Sequence, residues 1–376
     1  MEFDVIEYNE EAEEAARKAA LKKKKLAEKI KKFKKLSGRT AVKIGAFALA
    51  AVLVFALGLS YITFTIDPLY HYRTPKNSEK IPIAYPYLQN VGAAANARYG
   101  ALVTGALNGG IDASYLSGID GGNVLTLTFP GGNMGDFKSL FDASFSGRSA
   151  VRTVYFGLEN YLITGEKPIE KSGGKIPRSL ANGRSPDDLG YLLTFGLFQK
   201  HFASKTPDAS KYSFSSEDVL AGYSRSEKAD EDYDERYYLD FARKSTDVLI
   251  DVIVNHPETE FIFYAPPYSI LYWDDAIQNG RAKAEFTALK FAYGRLLQCG
   301  NVRIYYFQNM KGVTSNLDNY RDIYHYSDNI KRLVAEKLSD KTYRLIQSDC
   351  EKKLDAAYKK ILKYNYTKLL NSDLKQ

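Results

Sequence analysis

The most constraining feature of the sequence is an uninterrupted apolar run at residues 44–66, IGAFALAAVLVFALGLSYITFTI, with no charged residue and no proline. As an α-helix this run would be about 34 Å long at about 1.5 Å per residue, enough to cross a hydrocarbon core of about 30 Å. A helix buried in a soluble core rarely continues this far without a polar face. The run therefore predicts a single transmembrane helix.

The charges that precede the run predict its orientation. Residues 21–43 contain eleven lysines and arginines and one acidic residue, Glu28, a local charge of about +10. Such a basic excess stays on the cytoplasmic side, so the N-terminus is expected in the cytoplasm and the long C-terminal part outside. A cleaved signal peptide fits poorly, because the run is too long, starts too late and lacks a small-x-small site before Asp67. We interpret the run as an uncleaved signal anchor.

The charge of the remaining chain argues against nucleic-acid binding. The whole chain carries +7, of which residues 1–20 contribute −5 and residues 21–43 about +10, leaving about +2 for residues 44–376. A nearly neutral domain lacks the basic surface that binds nucleic acid. The predicted partners therefore include a lipid bilayer and no nucleic acid.

Beyond the apolar run, strand and helix patterns alternate. Short runs rich in β-branched and aromatic residues predict five strands, at residues 101–104, 124–129, 153–156, 260–265 and 302–307. Helical patterns lie at residues 135–146, 185–201, 232–255 and 274–298. This alternation is typical of a parallel sheet covered on both faces. The predicted fold class is α/β, a three-layer sandwich preceded by a single transmembrane helix.

The same patterns divide the chain into segments. The proline-rich stretch after the apolar run suggests an extended connector, and the lysine-rich C-terminal stretch suggests a long helix. The predicted segments are a cytoplasmic charged helical segment at 1–43, the anchor at 44–66, a connector at 67–86, an α/β domain at 87–340 with an insertion at 166–232, and a C-terminal helix at 341–376.

Chemistry in such sheets collects at the carboxyl ends of the strands. Asp322 and His325 follow the fifth strand, three residues apart, so both can share one turn. The carboxylate can then accept a hydrogen bond from one imidazole nitrogen while the other nitrogen faces a substrate. An isolated Asp-x-x-His is more often structural, but its place after the last strand favours an acid–base role.

The cysteines and histidines show no metal-binding pattern. Neither Cys299 nor Cys350 has a metal-ligand spacing to any of the four histidines, so no metal and no other cofactor is predicted. Pairing of the two cysteines stays open, because two cysteines do not define a disulfide framework.

Several blocks of the sequence resemble the SGNH/GDSL hydrolase superfamily, in its membrane-anchored branch on bacterial cell surfaces. These blocks are DPLYHY at 67–72, YLQN at 87–90, Thr104 with Gly105, PPYS at 266–269 and DIYHYS at 322–327. The resemblance covers roughly residues 67–340. This branch is similar in plan to proteins of lipoteichoic acid D-alanylation and polysaccharide O-acetylation. It implies a flavodoxin-like sheet, a serine nucleophile after the first strand, activation by Asp322 and His325, and backbone amides that hold the oxyanion.

One departure from the family pattern bears on catalysis. The family has Gly-x-Ser after the first strand, whereas this chain has Gly105, Ala106 and Leu107, and leucine has no nucleophilic atom. The oxyanion candidates are Gly131, Gly132, Asn133 and Asn160. The residues predicted to line the cleft are Leu107, Glu159, Tyr268, Ser269, Trp273 and Tyr324.

Two functions of different class are compatible with these residues. The first is a surface-anchored esterase or acyl-transfer protein of the bacterial cell membrane, acting on an envelope glycopolymer or an acylated surface molecule. The second is a catalytically degenerate binding or assembly subunit of an envelope-modifying complex, with a multispanning membrane protein as a partner. Leu107 favours the second function, and the Asp322–His325 pair favours the first.

Overall fold

The computed structural model describes residues 4–34, 38–74, 83–106, 111–116, 123–165, 176, 180, 186–193 and 213–371. The chain divides into two compact units, Met1–Ile62 and Thr63–Gln376. The first unit contains helix α1 (Asp4–Lys34) and most of helix α2 (Gly38–Ile66).

Helix α2 contains the predicted anchor. Its segment Thr40–Ile66 has a mean hydropathy of 2.3 and is long and apolar enough, by length and composition, to cross a membrane. Large apolar side chains on this helix are exposed, including Phe47 at 79% and Phe55 at 68%. Burying such side chains in hydrocarbon is favourable, whereas leaving them in water is not.

The second unit is built on one six-stranded sheet. The strands lie in the order β2-β1-β3-β4-β5-β6, and all pairs are parallel except β5 with β6. The parallel part therefore has the 2-1-3-4-5 order of one common doubly wound fold. The strands are β1 (Ala101–Gly105), β2 (Val124–Thr128), β3 (Thr153–Gly157), β4 (Glu260–Ala265), β5 (Val302–Tyr306) and β6 (Arg344–Leu345).

Helices cover both faces of the sheet. Alternate residues of one strand point to opposite faces, so Val154 and Phe156 join one core cluster while Tyr155 joins the other. The helices and short turns of the second unit are α3 (Pro86–Asn96), α4 (Ala113–Leu116), α5 (Met134–Ser146), α6 (Tyr161–Thr164), a 3₁₀ turn (Pro186–Asp188), α7 (Leu189–Leu192), α8 (Ser216–Gly222), α9 (Glu235–Asn255), α10 (Ile270–Gln278), α11 (Ala282–Leu296), a 3₁₀ turn (Leu317–Asn319), α12 (Asp328–Lys337), α13 (Cys350–Leu362) and α14 (Tyr366–Asn371).

Two predicted helices are wrong in extent. The helix predicted at 274–298 is divided between α10 and α11, because Gly280 between them has a φ of 72° and a Cβ there would lie 2.5 Å from the carbonyl oxygen of Glu231. The C-terminal stretch 341–376 is not one helix, since β6, α13 and α14 follow one another there. Of the helix predicted at 185–201, residues after 193 lie outside the described part of the chain.

The start of the connector is folded back rather than extended. Asp67 and Tyr70 have positive φ angles of 48° and 58°, and the Asp67 carboxylate accepts hydrogen bonds from the backbone N–H groups of His71, Tyr72 and Arg73. These three bonds replace the solvent contacts of an extended chain. Residues 75–82 of the connector lie outside the described residues.

Replacement of Gly92 by alanine is expected to lower the free energy of unfolding by about 1–3 kcal/mol, the usual cost of overpacking. Gly92 lies on α3 directly against the connector, and a Cβ there would sit 2.3 Å from the carbonyl oxygen of Leu69. Chemical denaturation measures the effect. Gly294→Ala in α11 is the control, because a Cβ at that helical glycine has no neighbour within 4 Å. Equal stabilities of the two variants would contradict this packing.

Candidate functional site

Asp322 and His325 lie on a short hairpin-like loop after β5. Tyr320 and Tyr326 form an antiparallel bridge across the loop, and the N–H of Arg321 donates to the carbonyl of His325 at 2.9 Å. The buried Tyr320 hydroxyl donates to the carbonyl of Pro267 at 2.7 Å, which fastens the loop to the segment that follows β4. The loop is therefore held at the carboxyl edge of the sheet.

The two side chains form the predicted hydrogen bond. Nδ1 of His325 lies 2.7 Å from Oδ2 and 2.9 Å from Oδ1 of Asp322. Oδ1 also accepts the backbone N–H groups of Tyr324 and His325, at 2.8 and 2.7 Å. With Nδ1 donating to the carboxylate, Nε2 is left as the acceptor, the tautomer that a general base requires.

The loop keeps Asp322 ionised. Partial burial opposes ionisation, but the hydrogen bonds from the His325 ring and from the backbone N–H groups outweigh it and lower the pKa of Asp322 to about 2. The guanidinium of Arg321 lies 3.4 Å from Oδ2 of Asp322. A charged carboxylate at this place stabilises a protonated imidazole during proton transfer.

The pair is accessible to solvent. The side chains of His325 and Asp322 expose 28% and 40% of their surfaces. Tyr324, between them in sequence, exposes 37% and packs edge-on against Tyr268 at 5.8 Å. Among the described residues, no hydroxyl is hydrogen-bonded to Nε2 of His325. Leu107, the residue that the sequence resemblance aligns with a serine nucleophile, lies outside the described residues.

The oxyanion candidates are engaged in other contacts. The N–H of Gly132 donates to the carbonyl of Phe129 at 2.9 Å, in the turn that also contains Gly131 with a φ of 64°. Asn133 caps α5, since its side chain accepts from the N–H of Asp136 and its own N–H donates back to the Asp136 carboxylate. The Gly132 N–H therefore stabilises the turn, and the Asn133 side-chain oxygen and backbone N–H stabilise the start of α5.

Most residues predicted to line the cleft are instead core residues. Trp273 is buried and packs on Phe286 at a centroid distance of 4.6 Å, and Tyr268 is buried with its hydroxyl donating to Glu159 at 3.2 Å. Ser269 is also buried, and its backbone N–H donates to Ile323. Glu159 is buried as well, so four of the six predicted positions lie in the interior, with Trp273 on α10 and Tyr268 and Ser269 just before it. Of the six predicted cleft residues, Tyr324 is exposed and Leu107 is not described.

A buried polar network under this edge was not predicted. Asn160 follows β3 and donates to Glu285 at 3.2 Å, while Gln308 follows β5 and donates to Asn160 at 2.7 Å. Glu285 also accepts from Tyr272 at 2.6 Å and pairs with Arg281. Asn160 is thus a member of the network, not an exposed oxyanion donor. The spacing of Arg281 and Glu285, four residues apart on a helix, is the signal by which part of the network could have been found.

Metal-ligating groups do not cluster in the described part of the chain. No group of three or more His, Cys, Asp or Glu side chains there could hold a metal ion. Cys299 and Cys350 are both free thiols.

Comparison of the chain with protein-family models, with curated proteins and with solved structures gives no match in any of the three. No matched relative therefore assigns a role to Asp322 or His325.

Proposed function

We propose that this chain is a membrane-anchored ester hydrolase or acyl-transfer protein that acts on an acylated glycopolymer of the bacterial cell envelope. The hydrogen-bonded pair of Asp322 and His325 at the carboxyl edge of the sheet carries the proposal. A carboxylate that holds one imidazole nitrogen and leaves the other accessible is the arrangement of a general base.

The pair can promote hydrolysis without a serine. Nε2 of His325 removes a proton from a water molecule as its oxygen attacks the ester carbonyl carbon. The tetrahedral intermediate then expels the alcohol, which receives the proton from the imidazolium. Asp322 stabilises that imidazolium because its carboxylate is ionised and lies 2.7 Å from Nδ1.

Helix α2 supports the membrane location, and the basic residues 21–43 support a cytoplasmic N-terminus. With that orientation the Asp322–His325 pair lies outside the cytoplasm. Its substrate is then a molecule of the envelope, not a cytoplasmic metabolite.

A second proposal is supported by a different observation. The Gly132 N–H and the Asn160 amide, two of the groups assigned to the oxyanion, are engaged in internal hydrogen bonds. Loss of these donors together with a leucine at position 107 favours a binding or assembly subunit, held against a multispanning membrane protein. Such a subunit would bind the envelope polymer without turnover.

The two proposals are distinguished by ester hydrolysis. The full chain, purified in a neutral detergent, is expected to release acetate from a small acetyl ester, and His325→Ala is expected to lower the rate by about 10²–10⁴-fold. His256→Ala is the control, because His256 stacks on Phe145 at the opposite, amino-terminal edge of the sheet. Activity that survives His325→Ala would contradict the enzyme, and polymer binding without hydrolysis would favour the subunit.

Leu107→Ser is expected to create a residue that reacts covalently with a fluorophosphonate probe. The expectation follows from the family resemblance, in which the serine at this place is activated by the histidine of the Asp-x-x-His block. Intact-mass measurement should find one added label per chain, absent in wild type and in Leu107→Ala. If the double variant Leu107→Ser/His325→Ala labels equally well, His325 does not act on position 107.

A further inference from the structure

Three arginines line an open cavity at the amino-terminal edge of the sheet, opposite the Asp322–His325 pair. Arg98 precedes β1, Arg148 lies between α5 and β3, and Arg152 immediately precedes β3. The cavity has a volume of about 620 Å³, within the range of ligand sites in proteins. Its other lining residues are Tyr99, Gly100, Asn123, Ser149, Ala150 and Thr153.

The backbone around this cavity is fixed by hydrogen bonds. The N–H of Arg152 donates to the carbonyl of Gly100 at 2.8 Å, and the N–H of Arg148 donates to Ala95 at 2.9 Å. Ser149 donates to the carbonyl of Ala97 and accepts from the N–H of Tyr99. The three arginine side chains therefore extend from a common, rigid framework.

The cavity is positively charged. No aspartate or glutamate lines it, and no carboxylate of the described residues forms an ion pair with Arg98, Arg148 or Arg152. Arg148 donates to neutral acceptors, the hydroxyl of Thr74 at 3.0 Å and the carbonyl of Tyr72 at 3.5 Å. Three like charges repel one another, and a bound anion removes that repulsion. Guanidinium groups match the geometry of phosphate oxygens and bind them bidentately.

The connector brings this cavity close to the end of α2. Tyr72 and Thr74, which Arg148 contacts, follow the end of the helix at Ile66 by six and eight residues. Eight residues span at most about 29 Å when fully extended. Chain connectivity thus keeps Thr74, which Arg148 contacts, within about 29 Å of the end of α2. Anionic phosphates are abundant at the surface of a membrane.

We propose that Arg98, Arg148 and Arg152 form a binding site for a phosphate-bearing group, separate from the Asp322–His325 pair. The phosphate is carried either by an anionic lipid headgroup or by a soluble or polymeric phosphate. The site does not depend on esterase activity, since its residues lie at the opposite edge of the sheet.

Residue-specific modification of arginine tests the site. The full chain is placed in nanodiscs of phosphatidylcholine, and the rate of phenylglyoxal modification of each arginine is measured by peptide mass spectrometry. Inorganic phosphate in one arm, or phosphatidylglycerol in the discs in the other, is expected to slow modification of Arg98 and Arg152 by about fivefold or more. Arg332, exposed on α12, is the internal reference and should react at an unchanged rate.

The two arms identify the source of the phosphate. Protection by phosphatidylglycerol alone assigns a lipid headgroup, and protection by inorganic phosphate assigns a soluble or polymeric ligand. Arg98→Gln/Arg152→Gln is expected to raise the Kd for the protecting phosphate by about tenfold or more, whereas Arg332→Gln leaves it unchanged. Arg98 and Arg152 are both exposed, so the thermal midpoint of the double variant should match wild type. Failure of both arms to protect Arg98 and Arg152, or equal protection of Arg332, would overturn the proposal.

Discussion

Replacement of Asp322 by asparagine is expected to lower the rate of ester hydrolysis by about 10²–10⁴-fold, the same scale as loss of the general base through which it acts. The amide can donate to Nδ1 of His325 and so move the ring proton to Nε2, where it blocks the base. It also removes the charge that stabilises the imidazolium. Because the pKa of Asp322 is about 2, the wild-type carboxylate is fully charged throughout the neutral range of an assay.

The substitution is conservative for the loop itself. The side-chain oxygen of an asparagine can still accept the two backbone N–H groups that Oδ1 accepts now, so the fold around the site should persist. Near-UV circular dichroism checks this point. Asp328→Asn is the matched control, because Asp328 lies nearby in α12 and pairs with Lys331 on the surface. A rate for Asp322→Asn above about a tenth of wild type would show that the carboxylate does not orient the base.

The sheet could be predicted from the sequence because its strands are buried on both faces. A strand in this position is a short apolar run, and all five predicted runs correspond to the observed β1–β5 with ends that agree within one residue. Strand β6 has two residues and pairs only with β5, so it leaves no periodic signal. The division between α10 and α11 depends on a tertiary approach of Glu231 to Gly280, which sequence periodicity does not contain.

In the candidate site, the contact between neighbours in sequence could be predicted, whereas the positions set by tertiary packing could not. Asp322 and His325 are three residues apart, so their contact is local and readable from spacing. The places of Asn160, Trp273 and Tyr268 depend on how α10 and α11 pack under the sheet edge. Aromatic residues near a strand end are compatible with a cleft or with a core, and only the packing distinguishes the two.

Replacement of Glu285 by alanine is expected to lower the free energy of unfolding by about 3 kcal/mol, because it leaves a buried guanidinium without one of its carboxylates. Glu285 is fully buried and binds Tyr272, Asn160 and Arg281 at once. Arg281 retains its pair with Asp275, which keeps the loss at the lower end of the range for buried ion pairs. At about 2.1 cal/mol/K of unfolding entropy per residue, the thermal midpoint of the unit Thr63–Gln376 should fall by roughly 5 °C.

The network links the ends of β3 and β5, so its loss should also disturb the sheet edge. Gln308 donates a hydrogen bond to Asn160, and Asn160 in turn donates one to Glu285. A double variant, Arg281→Met/Glu285→Leu, removes both charges and should be more stable than the sum of its single variants predicts, because neither ion is then buried alone. Asp240→Ala is the control, since its pairs with Arg243 and Lys244 lie at the surface and its removal should leave the midpoint unchanged. Additive losses in the double variant would mean that Arg281 and Glu285 stabilise the protein independently of each other.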